Sequence, residues 1–316
     1  MQANEINITL PEIPDEARHW SPSHFGPSES RIDAIRPVFR CTLKAAQAWP
    51  YRGRKTLIRG VCRVFSGKHV DLQTTWGARF RSAWDDTFLL QGICSEPLET
   101  FVVRSVLRPG MTVIDVGANR GWYTLLFSKL VGPAGRVIAF EPVPEMFQVL
   151  IQNMGLNTFT KNVQAHQAAA SNEVGLARIC INSKEPEISR LASESQEPQT
   201  NETDVDTISL DALVDLEQLE TVDLVKVDVE GAELKVLAGA HDLLKKWSPI
   251  LLIEAIDRNL RRYGGSSREV YSTLQRFGYR CYAIDVKHAR LIELKNAGDS
   301  PTAPNWLCVP KKNNRK

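Results

Sequence analysis

The stretch Val113-Ile114-Asp115-Val116-Gly117-Ala118-Asn119-Arg120-Gly121-Trp122-Tyr123 decides how the rest of the chain is read. Val113, Ile114 and Val116 make a near-continuous apolar run, the pattern of a strand covered on both faces in a parallel sheet. Arg108-Pro109-Gly110 is a turn that gives this strand its start. After Asp115 the chain needs glycine twice: Gly117 for a sharp bend, and Gly121 so that the following helix can come close to the strand or to a ligand. A nucleoside-bearing ligand sits at such a strand-to-helix turn, at the carboxyl edge of the sheet.

Spacing narrows the ligand. The dinucleotide fingerprint asks for G-x-G-x-x-G, with phosphates on the helix N-terminus. Counted from Gly117, its second and third glycines would fall at Asn119 and Trp122, so the pattern fails twice. The sequence has Asp-x-Gly-x-x-x-Gly instead. That carboxylate repels a pyrophosphate but suits a ligand with an ammonium and a sulfonium, and S-adenosylmethionine carries both. Glu141 ends the next strand, 24 residues after Gly117, where an acid can grip ribose hydroxyls. The missing glycines oppose a nicotinamide-dependent oxidoreductase, and Glu141 opposes a nucleotide-free domain that merely turns on glycine.

With 316 residues, 43% of them apolar and 24% charged, the chain has the make-up of an ordinary globular protein with a sizeable core. The net charge of +2 implies no general affinity for polyanions, but it is unevenly spread. Between Arg31 and Arg81 stand twelve Lys/Arg against two Asp, a local excess of +10, so the remainder is net acidic. Such a segment reads as a solvated face on a packed cap, or as a weak contact to an anionic acceptor or lipid headgroup surface. The six cysteines (41, 62, 94, 180, 281, 308) show no zinc spacing and read as reduced core residues. Without a basic-then-apolar leader or an apolar run of membrane-spanning length, a cytoplasmic location is expected.

Residues 1–30 read as a flexible arm. Residues 31–92 read as a basic cap whose apolar positions from Ile35 to Phe65 suit one or two amphipathic helices, with strand and turn at Asp85–Cys94. From 93 onward strands alternate with helices. The strands are expected at 113–116, 136–140, 163–170, 222–227 and 249–253, with two closing strands at 279–284 and 306–309. Helices are expected after Pro97, at 144–154, 230–247 and 267–277. Residues 182–204 form an acidic surface excursion flanked by a hairpin of 175–181 with 204–209. The fold class is therefore α/β: a doubly wound, mostly parallel sheet with an antiparallel edge hairpin and a mainly helical N-terminal segment.

A second informative stretch is Val222-Asp223-Leu224-Val225-Lys226-Val227-Asp228-Val229-Glu230-Gly231-Ala232-Glu233. It sets Asp228, Glu230 and Gly231 at the carboxyl end of the fourth strand, on the same edge as Gly117 and Glu141. Three acids around one glycine there point to binding or catalysis more than to helix capping alone.

The motifs Asp-Val-Gly-Ala-Asn-x-Gly-x-Tyr (115–123), Phe-Glu-Pro (140–142), Ser-Leu-Asp (209–211) and Val-Lys-Val-Asp-Val-Glu-Gly-Ala-Glu (225–233) together resemble the FkbM family of class I methyltransferases. Cys94-Ser95-Glu96-Pro97, Glu254 and Asn305-Trp306 to Pro310 fit the same pattern. The resemblance covers roughly residues 85–310 and implies methyl transfer from S-adenosylmethionine, mostly to hydroxyls of small molecules, sugars or lipid-linked acceptors. It implies that the turn built from Asp115, Gly117, Ala118, Asn119, Gly121 and Tyr123 holds the methionine part of the cofactor. Glu141 and Pro142 would border the ribose, and Ala169 to Ser171 the adenine. The third-strand end reads Ala-Ala-Ala-Ser-Asn, without an acid, which makes the adenine contact the weakest part of the match.

An alcohol acceptor needs a base within hydrogen-bond reach, about 3 Å, as the new bond forms. Asp228 is the first candidate, Glu254 the second and Glu230 the third. His241 reads as a helix start and His288 as a solvated turn. Asp228, Glu230, Glu254 and Asp257 are hard oxygen ligands of the magnesium kind, yet nothing in their spacing demands a metal, and none is expected. The Asn/Asp-Pro-Pro-aromatic turn that goes with nucleobase methylation is replaced by Asp-Val-Glu-Gly, so no nucleic-acid partner is expected. The competing readings are a catalytically inactive binding or adaptor protein on the same fold, and a methyltransferase acting on nitrogen.

Overall fold

The computed structural model describes residues 69–74, 76–83, 97–181, 190–191, 202–288, 290–296 and 303–311. The arm at 1–30, the helices expected between Ile35 and Phe65, and the strand and turn expected at Asp85–Cys94 lie outside these residues. The described elements are β1 (His69–Gln73), β2 (Arg79–Ala83), α1 (Pro97–Val106), β3 (Thr112–Val116), α2 (Trp122–Val131), β4 (Arg136–Phe140), α3 (Pro144–Gly155) and β5 (Val163–His166). Next come β6 (Ala169–Ala170), β7 (Gly175–Cys180), β8 (Arg190–Leu191), β9 (Glu202–Ile208), α4 (Leu210–Leu216), β10 (Leu224–Val227), α5 (Glu233–Ala238) and α6 (His241–Trp247). The last are β11 (Ile250–Glu254), α7 (Asp257–Leu260), α8 (Ser267–Arg276), β12 (Tyr279–Asp285), β13 (Arg290–Glu293) and β14 (Asn305–Pro310).

Eight strands form the main sheet in the order β13-β12-β14-β11-β10-β3-β4-β5. β3, β4, β5, β10 and β11 run parallel. The chain winds outward from β3 to β5, then returns to lay β10 against the other side of β3. This reversal leaves a crevice at the carboxyl ends of β3 and β10, where doubly wound sheets bind ligands. Alternate residues bury opposite faces of the sheet. Ile114, Val116, Val225, Val227 and Ile253 join a core closed by α4, α5, α6 and α8. Val113, Val137, Leu224 and Leu252 join a second core with α1 and α2.

β14 runs antiparallel to both neighbours, β11 and β12. The two closing strands thus pair as expected, but the outermost hairpin is β12 with β13, a strand that the sequence reading left as loop. The hairpin expected at 175–181 with 204–209 is present as β7 paired with β9, inside a separate four-stranded sheet.

Two expectations need correcting. The third strand stops at His166, and Ala169–Ala170 instead pairs with Thr207–Ile208 in the smaller sheet. The helix expected over 230–247 breaks in two at Gly239. Its carbonyl accepts from Asp211 N–H (2.9 Å), and the Asp211 carboxylate caps α6 by accepting from Asp242 and Leu243 N–H (3.1 and 2.8 Å). A β-hairpin, β1 with β2, was not foreseen in the basic segment. Phe80 is buried between exposed Arg79 and Arg81, a period of two that the dense basic residues disguised. This hairpin docks on the α/β core. Arg79 and Arg81 N–H donate to Asn157 and Asn153 Oδ1 (2.8 and 2.7 Å), and Phe80 stacks on Trp122 with ring centroids 5.5 Å apart.

At Gly121, with φ +90°, an added Cβ would lie 2.6 Å from Leu150 Cδ1 of α3. Gly121→Val should therefore destabilise the protein by at least about 2 kcal/mol, from left-handed backbone strain plus overpacking. Urea unfolding with the midpoint lowered at unchanged slope checks it.

Candidate functional site

At the crevice Gly117 (φ +80°) turns the chain directly under the tip of β10, where a Cβ would run into the carbonyl of Asp228. Gly117 and Ala118 N–H both donate to the Phe140 carbonyl at the end of β4 (3.0 and 2.8 Å). Asn119 adopts a left-handed conformation (φ +51°) that sends its N–H to Glu141 Oε2 (2.7 Å). Glu141 Oε1 accepts from Val143 N–H (2.9 Å), across Pro142. The acid is thus buried and clamped on the same edge as the bend, and burial pushes its carboxyl up to about 7 although both N–H groups oppose this.

Asp115 sits one layer deeper and is fully buried. It accepts from Thr124 Oγ1 (2.6 Å), and burial raises its pKa. Directly opposite on β10 is Lys226, a residue that the search for site residues passed over. Its Nζ lies 3.0 Å from Asp228 Oδ2, 3.9 Å from Asp115 Oδ1 and 5.0 Å above the Tyr123 ring. Tyr123 and Asp115 therefore face this ammonium from within the core. A lysine inside the apolar run Leu224-Val225-Lys226-Val227 was itself the available signal, because an ionised side chain in a doubly covered strand requires a partner.

Asp228 stands at the end of β10 with its side chain about a third exposed (34%). Glu230 also has a left-handed backbone (φ +54°), and its Oε2 accepts from Asn259 Nδ2 (2.8 Å). Gly231 behind it has no room for a Cβ, which would collide with the Asn259 carbonyl. Glu233 Oε1 ties this turn by accepting from Gly231 N–H (3.0 Å). Glu254, at the end of β11, is held up at about 9, chiefly by burial and then by the charges of Asp228, Glu230 and Glu233. At neutral pH this favours the protonated form. Ala169 and Ser171 are both buried, and Ser171 N–H is committed to the Ile208 carbonyl (2.9 Å). His241 begins α6, and His288 is an exposed partner of Asp285 (2.7 Å). Among the described residues no three His, Cys, Asp or Glu side chains converge as a metal site, and no helix is long and apolar enough to cross a membrane.

The donor set fits a cationic nucleoside. Asp115, Glu141, Asp228, Glu230, Glu233 and Glu254 gather at this edge, and Lys226 lies among Asp115, Asp228, Glu141 and Glu254. Glu233 and Glu254 each hold a buried Oε2 without a hydrogen-bond partner. The Glu141 oxygens, each on one backbone N–H, retain lone pairs for hydroxyl donors.

A glycine bend at the switch point, an acid on the neighbouring strand and a carboxylate cluster beside it define a nucleoside-binding α/β protein of the methyltransferase type. Residues 115–281 match the family model described as Methyltransferase FkbM domain. Methyltransferase 1 of Beauveria bassiana is 34% identical over 147 residues, 41% of this chain and 58% of its own length. The 31-O-demethyl-FK506 methyltransferase FkbM of Streptomyces tacrolimicus is 28% identical over 204 residues, 56% of this chain and 75% of its own. The solved methyltransferase FkbM of Methylobacillus flagellatus is 13% identical, with 81% of this chain and 59% of that one superposed at a TM-score of 0.41. The chain spans less than two thirds of the Beauveria protein. The chain belongs to the FkbM methyltransferase family, whose methyl donor is S-adenosylmethionine.

Because Glu254 is protonated when folded and ionised when unfolded, its contribution to stability is complete below pH 4.5. It is lost as pH rises through about 9. Glu254→Gln should flatten the decline in unfolding free energy between pH 7 and 9, which this group sets at on the order of 1 kcal/mol per pH unit. Denaturant titrations at the two pH values measure the difference.

Proposed function

We propose that the chain transfers a methyl group from S-adenosylmethionine to a hydroxyl oxygen of a small-molecule, sugar or lipid-linked acceptor, with Asp228 as general base. One observation carries this reading: a partly exposed carboxylate at the switch point, lying against the glycine bend and held by a buried ammonium. The bound cofactor supplies a methyl group already activated by its sulfonium. Glu141 grips the ribose hydroxyls, and the 117–121 bend, stiffened by its bonds to Phe140 and Glu141, shapes the seat beside them. The Asp228 oxygen not held by Lys226 would take the acceptor's proton as the carbon–oxygen bond forms and the donor's methyl–sulfur bond breaks, the thioether S-adenosylhomocysteine being the leaving group. Glu254, protonated, donates to the acceptor and keeps it in line, so two neighbouring carboxyl groups divide base and donor roles. Glu230 is occupied by Asn259 and shapes the turn.

The name of one relative, the 31-O-demethyl-FK506 methyltransferase FkbM of Streptomyces tacrolimicus, supports oxygen as the acceptor atom. Labelled S-adenosylmethionine incubated with fractionated cell extract, followed by mass analysis of the methylated product, identifies the acceptor. A product methylated on nitrogen overturns the oxygen assignment, and folded protein giving no calorimetric heat with S-adenosylmethionine favours the adaptor reading.

Asp228→Asn should bind S-adenosylmethionine with nearly unchanged affinity while methyl transfer slows by about 100-fold or more. Glu141→Ala should weaken S-adenosylmethionine binding by roughly 10- to 100-fold, as expected for losing charged hydrogen bonds to the ribose. Calorimetry and single-turnover transfer separate the two effects.

A further inference from the structure

We infer that Lys226 is a positioning residue for methyl transfer: it fixes the orientation of the Asp228 carboxylate at the crevice, itself anchored from behind by Asp115 and Tyr123. The inference rests on the proposed role of Asp228 as base. Lys226 and Asp115 are direct partners in the parallel register of β10 and β3, and Asp228 is two residues on, so all three side chains share the α2 face. Only 6% of the Lys226 side chain is exposed. Its contacts are graded, 3.0 Å to Asp228 Oδ2 against 3.9 Å to Asp115 Oδ1, so the ammonium leans toward the crevice. Asp115 is held in turn by Thr124, and its Oδ1 has no hydrogen bond of its own. The Tyr123 ring face, 5.0 Å from Nζ, closes the third side.

The charges around Asp228 explain why this cation matters. Glu233 faces it from the turn after β10, Glu254 from β11 and Asp115 from β3, and Lys226 is the cation bonded to it. A neutral side chain of similar length would release the carboxylate to rotate among like groups. Losing that orientation would slow transfer without touching the ribose grip at Glu141, one strand beyond β3. The relay Thr124–Asp115–Lys226–Asp228 therefore links the interior of α2 to the reacting edge.

The test uses the whole chain, with labelled methyl transfer into the same extract fraction as one readout and calorimetry with S-adenosylhomocysteine as the probe ligand as the other. Lys226→Met should slow transfer by about tenfold or more while S-adenosylhomocysteine affinity stays within about threefold of the parent, and Lys226→Arg should restore most of the lost transfer. Lys226→Met transferring like the parent, or Lys226→Arg behaving like Lys226→Met, overturns the inference. If Lys226→Met does not fold, Lys226→Gln carries the same test with the same outcomes. Transfer that survives Asp228→Asn defeats the base assignment instead.

Discussion

The first constraint on this molecule is the separation of two strand ends. β3 and β10 finish so close together that the bend leaving one passes beneath the carbonyl leaving the other, and a single methyl group at Gly117 would not fit. Everything chemical at the edge follows from that closeness. It brings Asp115 and Lys226 into register and sets Asp228 beside the bend, and the neighbouring strand end delivers Glu141 to the backbone N–H groups of the loop. Hydrogen bonds from Gly117 and Ala118 to Phe140 make three adjacent strand ends one unit. Left-handed backbone at Asn119 and Glu230, on either side of the crevice, is strain that the surrounding bonds hold in place.

Carboxyl groups dominate this unit, and several are buried well beyond what is cheap. Burial is the largest influence on Asp115, Glu141, Glu233 and Glu254, and in each it favours the protonated form. Backbone N–H groups and one ammonium offset only part of the cost. A cluster arranged in this way is poorly suited to being empty and well suited to receiving positive charge. The same arrangement gives neighbouring acids different environments: Asp228 is partly exposed, while Glu254 is deeply set and favours its protonated form.

Much of the fold was legible because its signals are local. Apolar runs bounded by turns marked the parallel strands, and the Gly117 and Gly121 spacing marked the crevice. Ser209 and Ser266 stand at helix starts, and both side chains accept from N–H groups three residues on. What escaped depends on tertiary contact. The break at Gly239 comes from Asp211, 28 residues earlier, capping a helix that local propensity would have continued. The early exit of the third strand follows from pairing with β9, nearly forty residues away in sequence. The hairpin at 69–83 was hidden by arginines that flank the inward-facing Phe80. In the site, Asp228 and Glu141 were found from strand-end position, whereas Lys226 is identified by what lies across from it. The raised carboxyl of Glu254 required knowing how much water the fold removes.

The reversed strand β14 has a consequence for how the molecule comes into being. It fills the gap between β11 and β12 although it is the final described strand in sequence. Until those last residues arrive, both flanking strands have unsatisfied backbone edges, and the β12–β13 ribbon has no sheet to join. On a translating ribosome the chain would therefore carry an open seam in its main sheet until residues 305–310 have emerged. That interval is when it is most exposed to pairing with a neighbour's strand instead of its own.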